Sequence, residues 1–106
     1  MAVVELPEVL EFDWDAGNEQ KNWIKHNISA KEAEEPFLTV EQLILEDIRH
    51  STKHEERYIL IGTSKQDRML FIVYTFRKKK IRIISARDAD RKEVLLYEKA
   101  LKLTRV

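Results

Sequence analysis

The feature that most constrains the fold is a pair of apolar segments joined by a basic turn, in residues 69–87. Residues 69–76 are apolar apart from Thr75, and β-branched residues continue after the turn. This pattern predicts two strands that are buried on both faces. Residues 77–80 are four consecutive cations that must lie in solvent, so the short connection predicts an antiparallel hairpin at the centre of a sheet.

Arg82 interrupts the apolar pattern of the second strand. A buried guanidinium without a partner is costly, so Arg82 must reach an acidic residue, the edge of the sheet or an anionic ligand. Arg87 raises the same question where the strand ends. Residues 77–87 contain six basic residues and no acidic one, and such a local positive field attracts phosphate groups.

Capping residues predict three helices. Asp15 is a suitable N-cap for the first, and Asn27 can adopt the left-handed conformation that ends it. Ser29 and Glu32 have the spacing of a capping box, and the same spacing begins again at Asp90. The predicted helices cover residues 18–26, residues 29 to about 36–38, and residues 90 to about 103.

The remaining apolar segments predict further strands, and together the elements predict the fold class. Besides the hairpin, strands are predicted near residues 10–13, at 43–48 and at 57–61, with a polar loop at 49–56 and a turn at 62–67. The order β-α-α-β-β-β-β-α indicates an α+β domain, an antiparallel meander with helices on one face. The aromatic residues assigned to the core are Trp14, Trp23, Phe71 and Tyr97.

Length and composition narrow the class of protein. A chain of 106 residues fits one domain, residues 1–106, with a single core. The absence of cysteine excludes a disulfide framework and is consistent with a reducing compartment. No apolar run approaches the roughly 20 residues of a membrane span, so we expect a cytoplasmic protein without membrane contact. The net charge of zero gives no argument for nucleic acid; only the charge distribution does.

The sequence predicts neither a cofactor nor a metal ion. Gly17 and Gly62 are the two glycines, so the chain lacks a Gly-rich phosphate-binding loop, and it has no cysteine nucleophile. His50 and His54 are the nearest approach to a metal motif. They lie in the polar loop without a third ligand, which favours a solvated loop over a zinc site.

A set of basic, acidic and histidine residues suits the cleavage of RNA by its own 2′-hydroxyl. That reaction requires a base for the hydroxyl proton, cations for the charged phosphorane and an acid for the leaving oxygen, and it requires no metal. The candidates are Lys25, His26, Glu56, Arg57, Arg82 and Arg87. Three of them also have a structural explanation: Glu56 as an exposed strand end, His26 as a helix cap, and Arg82 as half of an ion pair with Glu56 or another carboxylate.

These residues also match the pattern of a known family. The matching residues are Phe12, Asp13, Trp14, Asp15, Asn22, Lys25, His26, His50, Glu56, Arg57, Tyr58, Gly62, Tyr74, Thr75, residues 81–87, Glu93 and Tyr97. In this order and spacing they resemble the BrnT family of toxins from type II toxin–antitoxin systems, over residues 12 to about 100. The resemblance implies a RelE-like fold and an endoribonuclease that arrests translation and growth.

The resemblance also implies roles for the candidate residues. Arg82 and Arg87 are expected to clamp phosphate, and Glu56 or His26 is expected to accept the proton, with His50 ranked below them. The cations expected to bind RNA phosphates are Lys25, Arg57, Arg77 and Lys79. The implied partner is a BrnA-like ribbon-helix-helix antitoxin in a heterotetramer, and DNA is contacted only through that antitoxin.

Two departures from the family pattern leave alternatives open. The family usually has a lysine where this chain has Asn18, and a glycine where it has Asn27. Asparagine preserves the left-handed cap, whereas loss of the lysine weakens activity if that lysine contacts RNA. The alternatives are a RelE-like module that binds RNA or antitoxin with weak or no catalysis, and a structural partner protein.

Overall fold

The computed structural model describes residues 6–7 and 10–104, without the side chains of residues 20–24 and 104. The elements are α1 Ala16–His26, α2 Ala30–Glu34, β1 Gln42–Glu46, β2 Tyr58–Thr63, β3 Met69–Arg77, β4 Lys80–Asp88 and α3 Arg91–Thr104. Short 3-10 turns, Glu35–Leu38 and Ile48–His50, follow α2 and β1. The strands form one sheet in the order β1-β2-β3-β4 with antiparallel neighbours, which confirms the predicted α+β class and meander.

Apolar side chains cover both faces of the sheet. On the first, called the α2 face, the buried residues are Ile28, Ala33, Phe37, Ile44, Leu60, Leu70, Ile72, Tyr74, Ile81, Ile83 and Ala86. On the second, called the α3 face, the apolar residues are Leu43, Leu45, Ile59, Ile61, Met69, Phe71, Tyr97, Ala100 and Leu101. The prediction of helices on one face is therefore wrong: successive buried residues of β1 point to opposite faces, so both faces need a cover.

The hairpin strands differ from the prediction in position and in burial. β3 is interior, but β4 is the edge strand rather than a central one. Buried and half-buried residues alternate along most of β3, so neither strand is buried on both faces throughout. The predicted strand at residues 10–13 is reduced to one parallel bridge between Phe12 and Ile81, with flanking hydrogen bonds that cover part of the β4 edge.

Local sequence signals fix the ends of the helices. Asp15 and Asn18 each accept a hydrogen bond from the backbone N–H of the other, a reciprocal cap for α1. Asn27 has φ 54°, the left-handed conformation predicted for it. Ser29 caps α2 through the N–H of Glu32, but the Glu32 carboxylate turns away to other partners, so that capping box is only half formed.

The capping box of α3 is complete. Asp90 accepts from the N–H of Glu93 and Glu93 accepts from the N–H of Asp90, each at 2.9 Å. Tyr97, one turn later, is buried as predicted, and its hydroxyl donates to the Glu41 carbonyl at 3.2 Å. The cap and this contact anchor α3 across the sheet.

Two predicted boundaries shift for steric and chemical reasons. Gly62, predicted to begin a turn, lies inside β2, where an added Cβ would come within 3.2 Å of the Pro36 Cβ. β1 ends at Glu46 instead of residue 48, and Ile48 is exposed in the following 3-10 turn. The turn proper is at residues 64–67, where Asp67 has φ 58°.

The aromatic residues predicted for the core are mostly placed against it. Phe71 packs against the α3 face and Trp14 against the α2 face, where the indole N–H donates to Glu34 at 2.6 Å. The Trp23 side chain lies outside the described residues. Within the described ranges, none of the helices combines the length and apolarity needed to cross a bilayer.

Candidate active site

Arg82 and Arg87 lie on the same face of β4. Arg82 pairs with Thr75 and Arg87 with Phe71, and these partners are four positions apart on β3, so they share the α3 face. Four residue steps of about 3.3 Å separate the two arginine positions by about 13 Å. The strand contains a bulge in which Ile84 has no partner on β3, and this extra residue brings the two arginines to one face.

Arg82 is held by two carboxylates near the start of α1. Its Nη2 donates to Asp15 at 2.9 Å, and Nη1 lies 3.6 Å from Asp13. The side chain is 17% exposed, and among the described residues Nη1 has no hydrogen-bond partner. The hydrogen bond from the N–H of Asn18 is the main cause that lowers the pKa of the Asp15 carboxyl group, and the hydrogen bond from Arg82 lowers it further. Of the three environments predicted for Arg82, the structure therefore contains the acidic partner.

Arg87 is held by one carboxylate and one ring. Glu93 accepts two parallel hydrogen bonds from the guanidinium, at 2.7 and 2.8 Å. The Cζ atom lies 4.1 Å from the centroid of the Phe71 ring, within the range of a cation–π contact. The hydrogen bond to Glu93 raises the pKa of Arg87, so the guanidinium carries its charge at every relevant pH.

The hairpin presents its cations to solvent. Residues 77–80 are all exposed, and Arg77 pairs with Lys80 to close the turn. Lys78 and Lys79 both have positive φ, 52° and 67°, which is the backbone of a two-residue type I′ turn. One end of the sheet carries this turn together with Glu46 and Tyr58, and we call it the hairpin end. The opposite end carries Gln42, Thr63, Met69 and Asp88, and we call it the Asp88 end.

Glu56 lies at the hairpin end, but its carboxylate is directed to the α2 face. Its Oε2 accepts from the Tyr58 hydroxyl at 2.7 Å, and the Tyr58 ring stacks on Tyr74 of the α2 face. The hydrogen bond to Glu56, followed by burial, raises the pKa of Tyr58 to about 12. Among the described residues, no hydrogen bond or ion pair joins Glu56 to Arg82. The backbone carbonyl of Glu56 does reach Thr75, whose hydroxyl donates to it at 2.7 Å.

Lys25 and His26 lie at the Asp88 end, far from Glu56. α1 begins where Asn18 donates to the carbonyl of Ile83, and it ends where Arg68 donates to the carbonyl of His26 at 2.7 Å. An 11-residue helix is about 16 Å long. The structure therefore does not bring the two alternative bases, Glu56 and His26, together.

Arg57 lies at the hairpin end, one residue before β2. Its Nε donates to Glu55 at 2.8 Å, and its carbonyl accepts from the N–H of Asp47. Ile59 and Ile61 belong to the α3 face, and alternation continued by two residues puts Arg57 on that face with Arg82.

A pair that the sequence analysis did not identify lies beside Arg57. Both carboxylate oxygens of Asp47 are within 3.0–3.1 Å of His50 Nδ1. Asp47 is buried, whereas the His50 side chain is 61% exposed. The three-residue spacing of an acid and a histidine just after a strand was the available signal. The predicted strand at residues 43–48 contains Asp47 and the predicted loop at 49–56 contains His50, so the prediction places the two residues in different elements.

Asn18, at the position where the resemblance leads us to expect a lysine, has a structural role here. It is buried, it caps α1 together with Asp15, and its amide donates to the carbonyls of Asp13 and Ile83 at 3.2 Å each. These bonds fix the start of α1 against β4 and place Asp15 beside Arg82.

Within the described ranges there is no cluster of three or more His, Asp or Glu residues suited to holding a metal ion.

Comparison with known proteins gives the family. No curated protein matches the chain. The family model described as the ribonuclease toxin BrnT of type II toxin–antitoxin systems matches residues 14–93, about three-quarters of the chain and all of its sheet. The chain belongs to this family of BrnT ribonuclease toxins.

Proposed function

We propose that the protein is a metal-independent endoribonuclease that cleaves RNA through attack by the 2′-hydroxyl and thereby arrests translation and growth. The observation that carries this proposal is the placement of Arg82 and Arg87 on one face of β4, about 13 Å apart, beside an exposed cationic turn. The family supplies the toxin role and the ribonuclease class. The fold is proposed to be RelE-like, in keeping with the four-stranded meander and its helices.

The two arginines are proposed to bind the reacting phosphate and its neighbour. A guanidinium offers a planar pair of donors that matches two phosphate oxygens, and its charge stabilises the phosphorane. Arg77 and Lys79 on the hairpin, with Arg57 and Lys25, contribute the general attraction for the RNA backbone. Glu56 and His26 are the proton acceptors proposed from the sequence, and they lie at opposite ends of the sheet.

RNA must compete with carboxylates for both arginines. Arg82 is bound to Asp15 and Arg87 is bound to Glu93. Asp15 is 55% exposed, and ion pairs with solvent access contribute little to stability, so a phosphate group can replace Asp15. If RNA does not displace these carboxylates, the ion pairs favour the second candidate function, a module that binds RNA or antitoxin without turnover.

The antitoxin is proposed to be a BrnA-like ribbon-helix-helix protein that forms a heterotetramer with the toxin. The family implies an antitoxin and an RNA substrate. Acidic side chains of the antitoxin would bind Arg82 and Arg87 and so exclude RNA from the same charges. DNA would be contacted only by the antitoxin.

Induced expression in a bacterial host, combined with RNA cleavage by the purified protein, tests the proposal. Wild type is expected to arrest growth and to cut RNA in the presence of a chelator, and an RNA with 2′-O-methyl groups is expected to resist cleavage. Arg82→Ala is expected to lose both activities, whereas Lys99→Ala, an exposed lysine on α3, retains them. A folded wild-type protein that binds RNA without cutting it would establish the binding module instead.

A further inference from the structure

The contact between Asp47 and His50 indicates which ring nitrogen of His50 carries a hydrogen atom. The Asp47 carboxylate accepts hydrogen bonds and has no proton to donate, so the Nδ1 atom of His50, 3.0–3.1 Å from both oxygens, carries the N–H. The lone pair of the neutral ring is then on Nε2. Since 61% of the His50 side chain is exposed and only 9% of that of Asp47, the carboxylate anchors a ring whose other side remains accessible.

The backbone around Asp47 is held firmly. Its N–H donates to the Arg57 carbonyl at 2.8 Å, and its own carbonyl accepts from the Ser51 hydroxyl at 2.7 Å and from the Ser51 N–H at 3.1 Å. The Ser51 hydroxyl also accepts from the N–H of Arg57 at 2.9 Å. These bonds tie the one-turn 3-10 helix that carries His50 to the ends of β1 and β2.

Position on the sheet distinguishes His50 from the bases proposed from the sequence. Leu43 and Leu45 belong to the α3 face, and alternation continued one residue past the end of β1 puts Asp47 on that face too. Glu56 is bound to Tyr58 on the other face, and His26 is at the other end. Of these three candidates, His50 is the one whose anchor shares both the face and the end of the sheet with Arg82.

We infer that His50 accepts the 2′-hydroxyl proton and that Asp47 is its positioning residue, an inference that rests on the proposed ribonuclease function. As Nε2 takes the proton, the 2′-oxygen bonds to phosphorus and the bond from phosphorus to the 5′-oxygen breaks. The electron pair stays on the 5′-oxygen, which takes a proton from water, and the hydroxide formed neutralises the proton on His50. The products are a 2′,3′-cyclic phosphate and a 5′-hydroxyl.

Four further charged residues lie near the pair along the chain. Glu46 is the last residue of β1, Arg49 precedes His50 in the 3-10 turn, and Arg57 with its partner Glu55 precedes β2. Asp47 makes the direct contact with the ring. Removing the Asp47 charge is therefore expected to act on His50 more strongly than removing any of the others.

The test measures cleavage of a messenger RNA of mixed sequence, both free and on ribosomes. His50→Gln is expected to slow cleavage by about 100-fold or more, whereas His54→Gln, an exposed histidine of the same loop, leaves the rate unchanged. Asp47→Asn is expected to slow cleavage by about 10- to 100-fold. Circular dichroism confirms that each variant folds.

Two readouts separate proton transfer from a structural role. Added imidazole is expected to restore part of the rate to His50→Ala, because free imidazole replaces the missing acceptor. In Asp47→Asn, kcat is expected to fall while the KM for RNA stays the same, because the ring is held less firmly but no group that binds RNA is removed. A wild-type protein that cuts RNA while His50→Gln cuts equally fast overturns the inference alone. A folded wild type that cuts no RNA overturns the proposed function and this inference with it.

Discussion

Arg82 and Arg87 share one face of β4 although they are five positions apart in the sequence. In a regular strand an odd spacing puts two side chains on opposite faces. The bulge at Ile84 supplies the extra residue that changes the alternation, so that Ile83 and Ala86, three apart, also share the α2 face. The bulge therefore allows β4 to place apolar residues in the core of the α2 face along its length and, at each end, an arginine on the α3 face.

Removing one residue of the Ile83–Ile84 pair is expected to preserve the fold. In the shortened strand each side chain keeps its face of the sheet without a bulge, since the two arginines are then four positions apart. We expect a loss of no more than about 2 kcal/mol in the free energy of unfolding, measured by urea denaturation. Deleting Val73 from β3 is the control, because it turns Tyr74 out of the α2 face and should abolish cooperative unfolding. Equal damage from both deletions would contradict this account of the bulge.

Asp15→Asn is expected to tighten RNA binding. Asparagine is as good an N-cap as aspartate, so α1 keeps its cap, but Arg82 loses its nearest negative charge. Loss of this one ion pair is expected to raise the affinity for RNA about two- to fivefold. The affinity is also expected to fall more steeply with salt concentration, by the equivalent of about one additional phosphate contact. Asp67→Asn removes the same charge from the β2–β3 turn and is expected to change neither quantity. Unchanged affinity in Asp15→Asn would mean that RNA does not compete for Arg82.

Arg82→Ala is expected to abolish RNA cleavage while the protein remains folded. Loss of one group that stabilises the phosphorane costs about 100-fold or more in rate, and Arg82→Lys, which keeps the charge but loses the planar fork, should recover only part of it. Cleavage kinetics and thermal unfolding of the same samples measure both effects. A large loss of stability with unchanged cleavage would instead identify the ion pair with Asp15 as purely structural.

The sequence allows the local structure to be predicted better than the site. Asn27 and the Asp90 capping box depend on neighbours a few residues away, and both are confirmed. Arg82 meets Asp15, 67 positions away, because α1 and β4 pack side by side, and no local pattern contains that contact. The bulge likewise cannot be predicted from the sequence, because Ile83 and Ile84 are identical residues and hydrophobicity does not show which of them lacks a partner on β3.

Glu56→Gln is expected to lower the pKa of Tyr58 from about 12 toward the ordinary value near 10. The hydrogen bond to the Glu56 charge is the main cause of the raised pKa, followed by burial. Because the folded-state pKa is above the unfolded one, this hydrogen bond contributes stability below pH about 10 that is lost as the pH rises toward 12. Ultraviolet titration of tyrosinate, with Tyr58→Phe to assign the signal and Glu55→Gln as the control, measures the change.

Arg68→Met is expected to destabilise the fold and to reduce its sensitivity to acid. Arg68 joins the end of α1 to β4, since it donates to the carbonyl of His26, to Glu32 and to Asp88. Loss of these bonds should cost about 2–3 kcal/mol at pH 7.

The acid dependence of that loss follows from Asp88. Arg68 lowers the pKa of Asp88, so its contribution to stability is complete above the unfolded value of about 3.9 and is lost as the pH falls further. Urea denaturation at neutral pH and at several values below 4 should therefore show a shallower decline in Arg68→Met than in wild type. Arg49→Met, at an exposed arginine, should decline as wild type does. Parallel declines in all three proteins would show that the pair of Arg68 and Asp88 contributes nothing to acid sensitivity.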